Sequence, residues 1–332
     1  MKYLNRIYID GFMLSIVGSA ALASLFPAQG AMADVVDKGT KVAIALLFFL
    51  YGARLEPREA IAGLRHWRLH TAVLATTFVV FPLLGFALRV LAPSVLTEDL
   101  YIGVLFLCLV PSTVQSSIAF TSIARGNVAG AVVSASLSNL IGVFATPLLV
   151  VLLMDTTGKA EVKASTVLVI MAQLLLPFLL GQVLRSRLTW LLERPAPLKA
   201  VDRGSVLLVV YAAFSAGMAE HIWTGLSPLR VFATAAVCAC LLATVLTFTS
   251  VLGRLVGFST PDRIVLVFCG SKKALSTGLP MASVLFAGHQ VGLIVLPLMI
   301  FHQIQLFTCA VLAQRYARKT AAEPRLAAAA SA

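Results

Sequence analysis

Two adjacent lysines, Lys272 and Lys273, lie about ten residues into an otherwise apolar run. At that depth a charge costs several kcal/mol unless it meets a wet cavity or a partner. Neighbouring helical positions point about 100° apart, so one of the two is expected to face a cavity. The plain alternative is a pair of lysines snorkelling from a short helix end. None of the 14 acidic residues sits deep in an apolar run, Asp10 and Glu220 coming nearest. The centre is therefore expected to carry net positive charge, or to hold one lysine in its neutral form. Such a centre repels cations and suits a small organic anion.

Further polar residues cluster around two interruptions. Thr97-Glu98-Asp99 leads into an apolar run broken at Pro111-Ser112-Thr113 and followed by Gln115-Ser116-Ser117. Thr260-Pro261-Asp262 leads into one broken at Gly270-Ser271-Lys272 and followed by Ser276-Thr277-Gly278. A broken membrane helix frees backbone groups that lipid cannot satisfy, so matched breaks predict a binding centre. The half-helix after Pro111 would add N–H donors and partial positive charge for a carboxylate or sulfonate. Ser134, Ser138 and Asn139 fall in the next apolar run, the serines four residues apart on one helical face. Small residues there also serve close helix packing, a role that suits Ser134 and Ser136 at least as well. Pro82, Pro147, Pro177, Pro280 and Pro297 read mostly as packing features. His302, beside Gln303 and Gln305, suits either a proton relay or an interhelical hydrogen bond. His289 reads as an outer loop residue. The five cysteines lie in apolar runs and read as small hydrophobes. No phosphate loop, metal-ligand spacing or nucleophile elbow occurs, so neither an enzyme nor a bound cofactor is expected.

The elements that must hold these residues follow from composition. Hydrophobic residues make up 59% of the 332, charged residues 12%, and mean hydropathy is +0.95. A soluble domain carries about a quarter charged residues, so an all-α polytopic membrane protein in a lipid bilayer is predicted. Spans of about 20 apolar residues fall near 10–27, 37–54, 69–92, 100–123, 127–153, 164–185, 204–222, 230–256, 262–286 and 290–314, which makes ten transmembrane helices. With a cytoplasmic N-terminus, 18 Lys and Arg lie inside and six outside, leaving only the lysine pair within the membrane. That bias predicts an inner (plasma) membrane protein with both termini cytoplasmic. The net charge of +12 thus reads as topology rather than nucleic-acid binding. Lys2 and Arg6, the stretch Met13 to Phe26 and Ala31-Met32-Ala33 imitate a cleavable signal peptide, but the repeat favours an ordinary first span. The fourth and fifth spans match the ninth and tenth across an odd number of spans. This predicts two inverted repeats, residues 1–160 and 161–320, before a disordered tail at 321–332.

At the broken helices the sequence resembles the sodium/bile acid cotransporter family, in particular its SBF-like branch. The resemblance covers about Lys38 to Gln314. Its telling segments are Val110-Pro111 through Asn127, and Phe268 through Ala282. It implies ten spans in two inverted five-helix repeats, core and panel domains, and two discontinuous helices, spans 4 and 9, crossing in the core. It also implies sodium ions held by spans 3, 4, 5 and 9. The family's acidic position falls on Ser271, its third-span glutamine on Thr77 and its fifth-span hydroxyls on Ala131 and Ala135, while Ser117 keeps the fourth-span serine. A cation site beside an unpaired ammonium is electrostatically poor, so sodium is a doubtful partner here. One consistent arrangement has a lysine ammonium standing where a sodium ion would sit and tying the ninth span to Ser117 and Asn139. The expected activity is secondary transport of a small organic anion by alternating access. The alternative is a non-transporting regulator or receptor on a transporter fold. Substrate identity, coupling ion and oligomeric state stay open at this level.

Overall fold

Long apolar runs can satisfy their backbone groups in lipid only by coiling into helices, and the described runs do so. The computed structural model describes residues 11–54, 66–154, 164–219, 227–287 and 289–330. The expectations attached to Asp10 and Glu220 lie outside the described residues. Among the described residues there is helix and no strand.

In chain order the helices are α1 (Gly11–Leu25), α2 (Ala31–Arg54), α3 (Trp67–Leu91), α4 (Glu98–Leu109), α5 (Gln115–Ile123), α6 (Val128–Met154) and α7 (Ala164–Leu184), then α8 (Pro195–Ala219), α9 (Pro228–Leu255), α10 (Thr260–Gly270), α11 (Leu275–Leu285) and α12 (Val291–Ala330). Among the described residues, five stretches are long and apolar enough to cross a membrane unaided: those within α3, α6, α8, α9 and α12. Six of the other helices miss that standard for visible reasons. At 15 residues α1 is short, α2 carries Asp34, Asp37, Lys38 and Lys41 in its first half, and α4/α5 and α10/α11 are halves of broken helices. Helix α12 runs from Val291 to Ala330.

Caps fix where the broken helices begin. The Thr97 hydroxyl accepts from the Leu100 N–H at 3.2 Å and starts α4. In α10 the cap is Ser259, accepting from the Asp262 N–H at 3.3 Å, and Thr260 is already helical with Pro261 behind it. An N-cap hydroxyl replaces one missing intrahelical acceptor, and proline early in a helix gives up only an N–H that would be orphaned anyway.

Two packing groups emerge. In the first, α2 lies along α7, and α8 packs on both α1 and α2. A Cβ on Gly52 would collide with the Phe178 carbonyl, and one on Gly181 with the Phe49 carbonyl, so these helices meet backbone to backbone. Small residues permit that approach in membranes. The second group joins α3, α4, α5, α6, α9, α10, α11 and α12, with α4 against α12 and α9 against α10 and α12. The α10/α11 break lies inside this group, and α11 also reaches α8 of the first.

Candidate functional site at the crossing of two broken helices

Helix α4 stops at Leu109 and helix resumes at Gln115, while α10 stops at Gly270 and resumes at Leu275. The two gaps lie against each other, with the Ala274 N–H donating to the Pro111 carbonyl at 2.8 Å. Each gap leaves helix-end carbonyls that water cannot reach, and each must find a donor.

The first gap is satisfied residue by residue. The Cys108 and Val110 carbonyls accept from Lys273 Nζ at 2.8 and 2.9 Å. Leu109 accepts from the Thr146 hydroxyl at 2.8 Å, Pro111 from the Ala274 N–H, and Ser112 from Asn139 Nδ2 at 2.7 Å. The second gap is closed by the first. The Cys269 carbonyl accepts from the Ser112 hydroxyl at 2.6 Å and Phe268 from the Ser117 hydroxyl at 3.2 Å. Each broken helix thus caps the carbonyl end of the other. On the far side, Gln305 of α12 binds the Lys273 backbone twice: Oε1 accepts from its N–H and Nε2 donates to its carbonyl, both at 2.9 Å.

The lysines diverge. Lys273 Nζ donates to a third carbonyl, Thr77, at 3.0 Å, and stands 4.1 Å from the centre of the Phe81 ring. Three acceptors match the three N–H bonds of an ammonium. Thr77 lies in a π-turn of α3, Thr76–Val80, where the Phe81 N–H goes to Thr76. The next N–H along would be that of residue 82, a proline, which has none. The Thr77 carbonyl therefore lacks a helical donor, and Lys273 supplies one. Lys272 Nζ has no hydrogen-bond partner and sits 3.8 Å from the centre of Phe120 and 5.9 Å from that of Phe268. Both lysines are 0% exposed. One was expected to face a cavity. Neither does: across the non-helical gap Lys273 turns onto the α4 carbonyls and Lys272 lies between aromatic rings. The tying lysine is Lys273, and its partners are Thr77, Cys108 and Val110 rather than the expected Ser117 and Asn139. Among the described residues no ion pair reaches either lysine, the two pairs present being Lys41–Asp37 and Arg54–Asp202.

The other candidates divide between structural ties and a reachable face. Ser138 accepts from the Ser112 N–H at 3.0 Å, and Ser271 donates back to Val267 in its own helix at 2.6 Å. The Ser134 hydroxyl pairs with His70 Nδ1 at 2.8 Å, away from the gaps. His302 Nδ1 lies 2.8 Å from Gln305 Nε2. On the reachable face, Gln115 is exposed and Ser116, Asn139 and Ser276 are half-buried. Thr277 donates to Asn139 Oδ1 at 3.1 Å, and Ser116 pairs with Thr113 at 2.6 Å. The Tyr51 hydroxyl of α2 faces Ser276 and Thr277. Neither α5 nor α11 has a side-chain cap at its N-terminus. Carbonyl ends are consumed by the protein, and the N–H ends are left. From sequence, Ser112 and Thr113 read only as part of the break at Pro111, and Gln305 only as a neighbour of His302. Thr146 is not singled out, a threonine in an apolar run giving no signal of its own.

The residues present do not fit sodium. The Thr77 hydroxyl is spent on Val73 at 2.9 Å and that of Ser271 on Val267, Ala131 and Ala135 offer no side-chain oxygen, and a fixed ammonium stands at the crossing.

Comparison with known proteins places this arrangement. The chain is 52% identical over 315 residues to protein PA2026 of Pseudomonas aeruginosa, covering 95% of each chain. It is 47% identical over 313 residues to YfeH of Escherichia coli K12, which carries the name of a symporter, covering 94% of each. With sodium/bile acid cotransporter 7 of Rattus norvegicus it shares 27% identity over 319 residues, again 94% of each. The model of the SBF-like CPA transporter family matches residues 10–318. A helical membrane chain matched over nearly its whole length, with relatives named as transporters, belongs to the SBF-like CPA transporter family.

Proposed function

We propose that this chain is a secondary transporter of a small organic anion, working by alternating access in the inner membrane. Counting α4/α5 and α10/α11 as one broken span each gives ten spans. They read as two inverted five-helix repeats, residues 1–160 and 161–320, with both termini cytoplasmic. Helices α1, α2, α7 and α8 act as the panel against which the remaining core rocks.

The observation that carries the reading is the polarity of the crossing. Five consecutive carbonyls, Cys108 to Ser112, are capped by protein donors, whereas α5 and α11 begin without side-chain caps beside Gln115, Ser116, Asn139, Ser276 and Thr277. Free helix N-termini attract negative charge. An anionic headgroup is held there by N–H groups and hydroxyls, with Pro111, Ser117, Ser138 and Ser271 shaping the gaps and the buried lysines adding positive field behind them. His302 acts with Gln305 as a polar link, with proton relay as its further role.

Purified protein in liposomes, given labelled small carboxylates and sulfonates with sodium and pH gradients varied separately, tests this. Uptake of at least one anion is expected, reduced by Ser276→Leu, which places a branched side chain at the mouth of the site. A second reading, a regulator on a transporter fold, is favoured by one observation: both lysines are sealed from solvent. Absence of uptake and of any anion-induced thermal shift across the panel would reject transport in its favour.

A further inference from the structure

The Thr77, Cys108 and Val110 carbonyls form a cage that no helix closes. Cys108 and Val110 belong to the carbonyl end of α4, where the peptide dipoles present partial negative charge. Thr77 is stripped of its donor by the π-turn and Pro82. These oxygens come from two spans and converge on one point at 2.8 to 3.0 Å, with the face of Phe81 as a fourth, negative wall. Rings of carbonyls around an aromatic face are the surroundings in which proteins strip monovalent cations of water. The oxygen distances match an ammonium or potassium ion.

We infer that this cage is a monovalent-cation site which the chain keeps filled with its own ammonium, Lys273, so that the crossing requires no free cation. The tether makes occupancy independent of ion concentration, because the ligand is intramolecular. It also removes the cage from any coupling cycle, since an ion that cannot leave cannot be carried. Lys273 is thereby a positioning residue: it joins α3, α4 and the α10/α11 gap without touching solute. No carboxylate shares the load among the described residues, so the carbonyls alone balance the charge. The inference deepens the transport reading and rests on it only where coupling is concerned.

The test is thermal unfolding of purified protein in detergent, with choline chloride replaced stepwise by sodium, potassium, ammonium or methylammonium chloride at constant ionic strength and pH. Wild type is expected to unfold at one temperature in all five salts. Lys273→Ala removes the ammonium and most of its stem, and is expected to recover saturably in ammonium, methylammonium or potassium but not in choline. Lys273→Met fills the stem's space with apolar atoms and is expected to recover in none. Saturable stabilisation of wild type by sodium would overturn the inference, as would a Lys273→Ala protein that folds no better in any small cation than in choline. In liposomes, sodium-stimulated anion uptake would overturn it while leaving transport intact. Failure to take up any anion would remove the transport reading and leave the salt result standing.

Discussion

Replacing each lysine by methionine separates a structural cation from a merely buried one. Lys273→Met keeps an unbranched side chain of similar reach but removes three donors at 2.8 to 3.0 Å, leaving the Thr77, Cys108 and Val110 carbonyls buried without partners. Hydrogen bonds to charged groups contribute roughly 1.5 to 3 kcal/mol each, and an orphaned buried acceptor costs about 1 to 3 kcal/mol. Against this stands relief from holding an ammonium out of water, itself several kcal/mol. Removing one side of a compensated buried charge costs a net of about 3 to 5 kcal/mol, and that is the expected loss. Lys272→Met removes no hydrogen bond. It forfeits a cation–ring contact worth about 2 kcal/mol, offset by the same relief, so its expected change is within about 1 kcal/mol of zero or stabilising. Equilibrium unfolding in mixed micelles, followed by tryptophan fluorescence, measures both variants on one scale. Equal losses, or a larger loss for Lys272→Met, would refute the assignment of the two ammonium groups.

Other positions give sharper local tests by the same unfolding assay. Arg125 holds φ 60 in the turn after α5, with its N–H on Ser122 and the Gly126 N–H on Thr121. A side chain costs about 1 kcal/mol in that left-handed region, so Arg125→Gly is expected to stabilise by about that amount, and a loss would contradict the turn. Gly126→Ala places a Cβ 2.6 Å from Ile264 and 2.8 Å from Thr121, and should cost about 1 to 3 kcal/mol as overpacking does. Gln305→Leu orphans both the N–H and carbonyl of Lys273 and should cost about 2 kcal/mol or more. Gly52→Ala drives a Cβ into the Phe178 carbonyl. It is expected to split α2 from α7 and to reduce the yield of folded protein, whereas Gly39→Ala, in contact only with Leu208 at 3.8 Å, should not.

Much of the crossing was legible because membrane sequences announce their exceptions. Proline followed by hydroxyls in an apolar run marked the α4/α5 gap, and two lysines in another marked the α10/α11 gap. The partners of those lysines were not legible. Helical geometry gives the angle between adjacent side chains, but residues 271–274 are not helical, so the angle carries no direction there. The Thr77 site was hidden for another reason. Alignment pointed to its side chain, whereas the atom that meets Lys273 is its carbonyl, freed by a proline five residues later. The cap of α10 is Ser259, one residue before the Thr260-Pro261-Asp262 segment noted in the sequence, because Pro261 fits the early helix when Thr260 is already its first residue. The α2–α7 contact left no sequence signal beyond two glycines, because what meets there is backbone.

Gln305 spans the α10/α11 gap as a peptide group would, offering one donor and one acceptor to the same residue. A discontinuity bridged in this way transmits force instead of absorbing it. Helices α10, α11 and α12 then travel as one lever, and bending is displaced to places such as the Val256 to Ser259 turn, where Gly257 holds φ 75. Spectroscopic labels placed on α10 and α12 would keep their separation through a working cycle, while labels across that turn, on α9 and α10, would change theirs.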